Sequence, residues 1–434
     1  MKNIIFKSKF LIKLLICFLF SSLIYLSFRT DLIYENNLKI LISFILILFI
    51  IWSIILFEKK KIISIIFYNL FLIVFLNLLL TPIFHLTTLD IPTRQPNYKI
   101  TTEFKGDFFK GMFFGKHTLS YDEKGYRTNK KILYEEKDVN TLRIFSIGAS
   151  TTEQGIMDDQ KTWSSLLGKN TSLSTKKNVE VINTGMAGLR AEHHYIVLRR
   201  IKKYNPDILI FLTGVNDWNH HIVNSHKKYL IPNYEIKYNF KKSIFYKIAQ
   251  NVEKQIVRKI FDNKKTKKKD ETNIEEPDLE RDVEAYLLPQ IDSLNKRKIV
   301  KKFRPNNVSE DYRYWFNLIV RECKKQKSMC IFLDQPTAYK KDISPKLKKR
   351  LWMTPTNAKY TLEFEDLIFI SSIYNSWLKE TIIKNDLNFI MLSDKIEANT
   401  KHLFDDCHFT EEGSKKVSEV LTKYINLNLK SILN

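Results

Sequence analysis

Four short stretches carry residue types that could do chemistry. The apolar run Leu142–Ile147 stops at Gly148, and Ala149, Ser150 and Thr151 follow it. A serine after a strand is commonly a turn or cap residue, but beside a base it can also act as a nucleophile. Asn183-Thr184-Gly185-Met186-Ala187-Gly188 and Gly214-Val215-Asn216-Asp217 each read, in isolation, as turns rich in conformationally free residues. Near the C-terminus, Asp405-Asp406-Cys407-His408 precedes Phe409, Thr410 and Gly413. It offers an imidazole that titrates near neutral pH with a carboxylate three positions earlier, or simply a helix cap. Singly these signals are weak; in this order, at successive strand ends, they are not.

The elements that must position them follow from the pattern. Strands are expected over "LRIFSIG", "VEVINTG", "DILIFLTG", "MCIFLDQP" and "NFIMLS". Helices are expected over "WSSLLGKN", "AEHHYIVLRRIKKY", "EDYRYWFNLIVRECKKQ", "LIFISSIYNSWLKETIIK" and "TEEGSKKVSEVLTKYI". Apolar strands alternating with amphipathic helices predict a parallel sheet covered on both faces. In such a sheet, right-handed crossovers bring the loops after the strands to one edge, where all four stretches would gather.

This set of residues resembles the SGNH (GDSL-like) hydrolase superfamily, whose four blocks carry a Ser, a Gly, an Asn and an Asp-x-x-His. The likeness runs from about Thr141 to the C-terminus, with all four blocks in family order. It implies a flavodoxin-like three-layer α/β/α sandwich with a parallel sheet. It also implies that Ser150 is the nucleophile, that His408 and Asp405 complete a catalytic triad, and that Ser150, Gly188 and Asn216 form the oxyanion hole. The chemistry asks for these types: His408 to take the serine proton, Asp405 to fix the tautomer, and preorganised N–H donors for the tetrahedral oxyanion. One departure is that Gly-Ala-Ser stands where the family's first block is typically Gly-Asp-Ser. That aspartate is not a triad member, so its loss bears on substrate rather than on nucleophile. Of the neighbouring residues, Trp218, His220 and His221 are expected in surface or packing roles, and Gln335 in "DQPTAY" along the acyl pocket.

The first ninety residues have another character. Leu14 to Phe28, Ile40 to Phe57 and Ile62 to Leu86 carry no charge, and with Lys13 snorkelling even the first provides a span of roughly 18–20 residues. Three transmembrane helices over residues 1–90 are therefore expected. Lys2, Lys7, Lys9 and Lys13 precede the first stretch and Lys59, Lys60 and Lys61 separate the second from the third. The positive-inside rule then puts the N-terminus in the cytoplasm and everything after residue 90 on the outer side of the cytoplasmic membrane. Residues 91–140 read as an extended lead-in, in which "LSYDEKGYRTNKK" is a hairpin or an extended segment with Gly125 as its turn. Residues 141–434 read as the catalytic domain, interrupted at about 219–304 by a charge-dense insertion poor in apolar residues.

The chain has 434 residues and a formal charge of +23, from 70 Lys and Arg against 47 Asp and Glu. Lys, Ile and Asn abound in every region and no basic stripe accompanies a nucleic-acid motif, so a nucleic-acid partner is not expected. The four cysteines include no Cys-x-x-Cys, which argues against a zinc site, and Cys323 and Cys330 could pair or stay free. No cofactor or metal is called for. The expected activity is that of a membrane-anchored serine esterase removing small acyl groups, such as acetyl, from envelope carbohydrate or another small ester. The same acyl-enzyme could serve an O-acyltransferase with a membrane acyl-transfer partner, and a non-catalytic glycan-binding scaffold is the alternative from another class.

Overall fold

The structure is a computed structural model that describes residues 94–224 and 287–433, apart from short interruptions at 105–106, 129–130, 176, 293–295, 298, 354, 356–357 and 359. These residues belong to one compact unit, Ile91–Pro232 with Glu275–Asn434. The three apolar stretches of residues 1–90 and the middle of the charged insertion lie outside the described residues. No helix among the described residues is long and apolar enough to cross a membrane.

An antiparallel hairpin comes first, β1 (Lys99–Glu103) against β2 (Lys116–Ser120). Then follow β3 (Thr141–Gly148), α1 (Ser150–Glu153), α2 (Trp163–Thr175), β4 (Asn178–Asn183), α3 (Ala191–Ile201), β5 (Ile208–Leu212) and α4 (Val215–Asn224). After the insertion come β6 (Ile299–Lys301), α5 (Glu310–Lys325), β7 (Met329–Leu333), β8 (Tyr360–Leu362), α6 (Phe364–Lys384), β9 (Asn388–Ile390) and α7 (Glu411–Leu433). The main sheet has the order β4-β3-β5-β7-β9 and every pairing in it is parallel. Renumbered from its first strand this is 2-1-3-4-5, the flavodoxin-like doubly wound order. Strand order reverses at β3, so the loops after β3, β4 and β5 meet in the crevice at that switch point.

Sequence explains the layering. All eight residues of β3 and all five of β5 are buried, as befits central strands covered on both faces. Right-handed crossovers place the β3–β4 helix on one face and the β4–β5 helix on the other. Accordingly α2 packs with α7, and α3 with α5. Helix α5 starts at Ser309, whose hydroxyl accepts the Tyr312 N–H at 3.2 Å, with Glu310 and Asp311 in the first turn and Lys324 and Lys325 in the last. Each end thus complements the helix dipole. Cys323 and Cys330 form a disulfide that joins the end of α5 to β7.

The lead-in is built into this unit rather than strung in front of it. Gly125 does occupy a turn, at φ +76°, but the paired strands lie before it in the chain. Ile100, Leu119 and Tyr121 form a small core with Tyr98. Asp158 and Asp159 accept backbone N–H groups of β2, from Thr118 at 2.9 Å and Ser120 at 3.2 Å. Further along, the segment meets the buried guanidinium of Arg143, which donates to the carbonyls of Leu133, Tyr134 and Glu136, to Tyr204 O and to the Glu180 carboxylate. A buried cation so completely engaged costs little and fixes the segment against β3.

Candidate active site

Ser150 opens α1 directly after β3, and the close approach there explains the glycine before it. A Cβ on Gly148 would lie 2.6 Å from Leu212 O and 2.0 Å from Thr152 Oγ1. Asp405 and His408 sit in a tight loop between β9 and α7, closed by Phe404 N–H donating to His408 O at 3.0 Å. Across 258 residues of chain, His408 Nε2 stands 2.8 Å from Ser150 Oγ. His408 Nδ1 is 2.8 Å from Asp405 Oδ2 and 2.9 Å from Oδ1. Because a carboxylate only accepts, the neutral imidazole carries its proton on Nδ1 and leaves Nε2 to accept from the serine hydroxyl. The ring of Phe404 stacks on His408 at 5.4 Å and 13°.

Asp405 is 1% exposed and surrounded by donors. Besides His408 Nδ1–H it accepts the backbone N–H groups of Cys407 at 3.0 Å and His408 at 2.9 Å, and the Trp352 indole N–H at 2.9 Å. Burial alone would raise its pKa, but His408 and these hydrogen bonds outweigh burial and lower it. For His408 burial works against the charged form, yet the Asp405 charge prevails and holds the imidazole well above its ordinary 6.5. Asp406, also buried, has its pKa raised by burial and by Asp405. It accepts the Tyr339 hydroxyl and the backbone N–H groups of Trp352 and Met353, which anchors the loop carrying Trp352.

Gly188 and Asn216 line the same pocket as Ser150 and His408, a cavity of about 890 Å³. Gly188 has φ +82°, in the left-handed region that favours glycine, although a Cβ there would meet nothing. Backbone conformation, not space, demands this glycine. The loop that carries it is held on its C-terminal side. Asn216 Nδ2 donates to Leu189 O at 2.9 Å, and Asp217 Oδ1 accepts the Ala191 N–H at 3.0 Å. Burial pushes the Asp217 carboxyl up to about 7. Before Gly188, the loop crosses α1 so closely that a Cβ on Gly185 would fall 2.4 Å from Glu153 N. We expect Gly185→Ala to cost about 1–3 kcal/mol in denaturant unfolding, because backbone has to give way. A variant as stable as the parent would disprove that close approach.

Several pocket residues carried no signal in the sequence. Trp352 and Phe404 form one wall, and Arg94, Tyr98 and Tyr121 of the lead-in form another. Of the residues beside the third block, His220 lines the pocket, Trp218 is fully buried against Tyr374, and the Tyr374 hydroxyl meets His221 Nδ1 at 3.1 Å. Gln335 does not line the pocket as expected. Just past the end of β7 its backbone pairs with the Asn375 amide at 3.1 and 3.0 Å, while its side-chain oxygen accepts the Thr151 hydroxyl at 3.4 Å and its NH₂ donates to Pro336 O at 3.0 Å. Among the described residues, Asp405, Cys407 and His408 are the group whose donor atoms lie close enough to hold a metal ion. Their lone pairs are committed otherwise: His408 Nδ1 is bound to Asp405, and burial pushes the Cys407 thiol up to about 11, away from the thiolate a metal requires.

No protein-family model and no curated protein matches the sequence. Solved structures with a similar fold include a catalytic mutant of an acetylxylan esterase from Geobacillus stearothermophilus, at 9% identity and TM-score 0.36, covering 65% of this chain and 94% of that one. A GDSL-like lipase from Bacteroides thetaiotaomicron VPI-5482 has 12% identity and TM-score 0.33, covering 68% of this chain and 92% of that one. A psychrotrophic esterase from Pseudoalteromonas sp. has 9% identity and TM-score 0.32, covering 67% and 99%. Likenesses this distant carry no argument about function, which has to rest on the geometry of the site.

Proposed function

We propose that this chain is a membrane-anchored serine esterase that hydrolyses small acyl esters, acetyl esters among them, on envelope carbohydrate. The observation that carries the reading is the unbroken chain Ser150 Oγ, His408 Nε2, His408 Nδ1, Asp405, opening onto the pocket that Gly188 and Asn216 share. His408 takes the proton from Ser150 as Oγ attacks the acyl carbon. The resulting oxyanion is met by the backbone N–H groups of Ser150 and Gly188 and by the Asn216 side-chain amide. His408 then returns the proton to the departing alcohol, leaving an acyl-serine. A water molecule, deprotonated by the same imidazole, attacks the acyl-serine to release the acid and restore Ser150.

Other features support the remaining parts of the reading. The cavity of about 890 Å³ has far more room than an acetyl group needs. The rings of Tyr98, Tyr121 and Trp352 share its lining with polar Gln95, Asn219 and His220, a mixture suited to a sugar's apolar faces and hydroxyl edges. The apolar stretches of residues 1–90 and their flanking lysines support an anchor with the catalytic domain outside. The Cys323–Cys330 disulfide agrees with an oxidising compartment.

The test uses the full 434-residue chain. It should hydrolyse p-nitrophenyl acetate and take up one fluorophosphonate label, whereas Ser150→Ala should do neither. Equal labelling of the two would refute the assignment of the nucleophile. In cells, deleting the protein should raise the O-acetyl content of envelope glycans; a fall would instead indicate acyl transfer to sugar.

A further inference from the structure

Glu153 stands one turn after Ser150 and is 2% exposed. A buried carboxylate is costly unless donors meet its lone pairs, and donors from three segments meet this one. Arg94 Nε at 2.6 Å, Arg94 Nη2 at 2.5 Å and the Tyr121 hydroxyl at 2.7 Å converge on Oε1. The backbone N–H of Ala187 donates to Oε2 at 2.8 Å. Ala187 immediately precedes Gly188, so with its N–H pinned, only the backbone torsions of Ala187 itself separate the anchor from the Gly188 N–H. On the far side, Asn216 and Asp217 anchor Leu189 O and Ala191 N–H. Gly188 is thus strung between two fixed points.

We propose that Glu153 is the positioning residue of the oxyanion loop: its carboxylate couples the Ser150 turn to the loop carrying Gly188, and Arg94 and Tyr121 hold it in place. The inference rests on the esterase reading. Arg94 has a second effect, which is electrostatic. A bare carboxylate beside the site where the oxyanion develops would oppose that charge, and the Arg94 ion pair cancels it. Arg127, also from the lead-in, donates to the carbonyls of Glu153 at 2.6 Å and Gln154 at 2.7 Å, fixing the other end of the same turn. Residues 94–127 are therefore a working part of the site and not a tether.

The carboxylate is needed for a reason that isolates the effect. All of its partners donate, so Glu153→Gln has to turn an NH₂ toward one of them. Keeping the amide oxygen at the Oε1 position preserves the Arg94 and Tyr121 bonds, and the NH₂ then faces the Ala187 N–H. The variant therefore disconnects the loop while leaving the rest of the cluster in place. Arg94→Ala does the reverse: it leaves the Ala187 bond and removes the compensating charge, at a side chain that is 36% exposed.

The full chain is assayed in detergent on p-nitrophenyl acetate, with Ser150→Ala as reference. Glu153→Gln should lower kcat by roughly 10² with KM little changed, the size expected when an oxyanion donor is displaced. It should still reach full fluorophosphonate labelling, only more slowly, which a loss of folded protein would not allow. Arg94→Ala should lose roughly tenfold in kcat and regain part of it in non-denaturing guanidinium chloride. Glu153→Gln should not be rescued, since its Arg94 is still present. Wild-type kcat in Glu153→Gln, or a loss that matches a reduced labelling stoichiometry, overturns the positioning role. Arg94→Ala without rescue overturns the charge-cancelling role. If Ser150→Ala is as active as wild type, the esterase reading fails and this inference with it. If Ser150→Ala is inactive and Glu153→Gln is not impaired, the positioning role alone fails.

Discussion

Ser150→Ala and His408→Ala should each lower kcat/KM toward a short acyl ester by roughly 10⁶, and the double variant should be no slower than either single one. The reason lies in the 2.8 Å contact between Oγ and Nε2. A serine hydroxyl is a weak nucleophile until a base takes its proton, and the base has nothing to do without the hydroxyl. Residues that act as one unit are lost together, so their effects do not multiply. What remains is the activity of the pocket and the oxyanion donors acting on water. Both variants should fold. Ser150→Ala removes one oxygen at the pocket wall. His408→Ala leaves Asp405 buried, but the N–H groups of Cys407, residue 408 and Trp352 still hold its charge. Multiplicative losses in the double variant would mean that the two residues act independently, and the proposed mechanism would not survive that result.

The fold was legible because its central strands and its helices speak different patterns. "LRIFSIG" and "DILIFL" are apolar without alternation, which is what a strand covered on both faces requires, and they became β3 and β5. The segment "EDYRYWFNLIVRECKKQ" reads as an amphipathic helix, and it became α5, with Ser309 as its cap. The lead-in was harder to read. Its strands are five residues each and its core is four side chains, so their placement depends on Asp158 and Asp159, which lie elsewhere in the chain.

The site divides along the same line. Ser150, Gly188, Asn216, Asp405 and His408 stand at strand ends in a recognisable order, and the structure gathers them around one pocket. Glu153 lies three residues after Ser150, yet nothing in the sequence announces its partners 59 and 32 positions away. Trp352 is 53 residues from Asp405 and lies in a loop with no periodicity to betray it. Gln335 failed for a simpler reason. Position after a strand predicts the edge of the sheet but not what a side chain meets there: the Gln335 carboxamide accepts the Thr151 hydroxyl at 3.4 Å and is not part of the pocket lining. Sequence order thus located the residues that meet at the pocket, while those that hold them there are a product of tertiary contacts.

Asp405→Asn should lower kcat by roughly 10⁴ while leaving the fold intact. Every partner of Asp405 is a donor, so the new NH₂ has to face one of them. At the Oδ1 position it would meet two backbone N–H groups, from Cys407 and His408, besides His408 Nδ1 at 2.9 Å. At the Oδ2 position it meets the Trp352 indole and His408 Nδ1, and there it can donate to the ring if the imidazole gives up its Nδ1 proton. The second arrangement is preferred, and it moves the proton to Nε2, facing Ser150. That tautomer cannot accept the serine proton. The pH profile provides an independent sign. In the parent, Asp405 holds His408 above 6.5, so kcat/KM falls as His408 becomes protonated on the acid side of a midpoint above that value. Without the carboxylate the largest influence raising the imidazole's pKa is gone, and burial pulls it down. The acid limb of the residual activity should therefore move to lower pH. An Asp405→Asn enzyme with near-parental kcat, or with its acid limb shifted upward, would remove Asp405 from the mechanism.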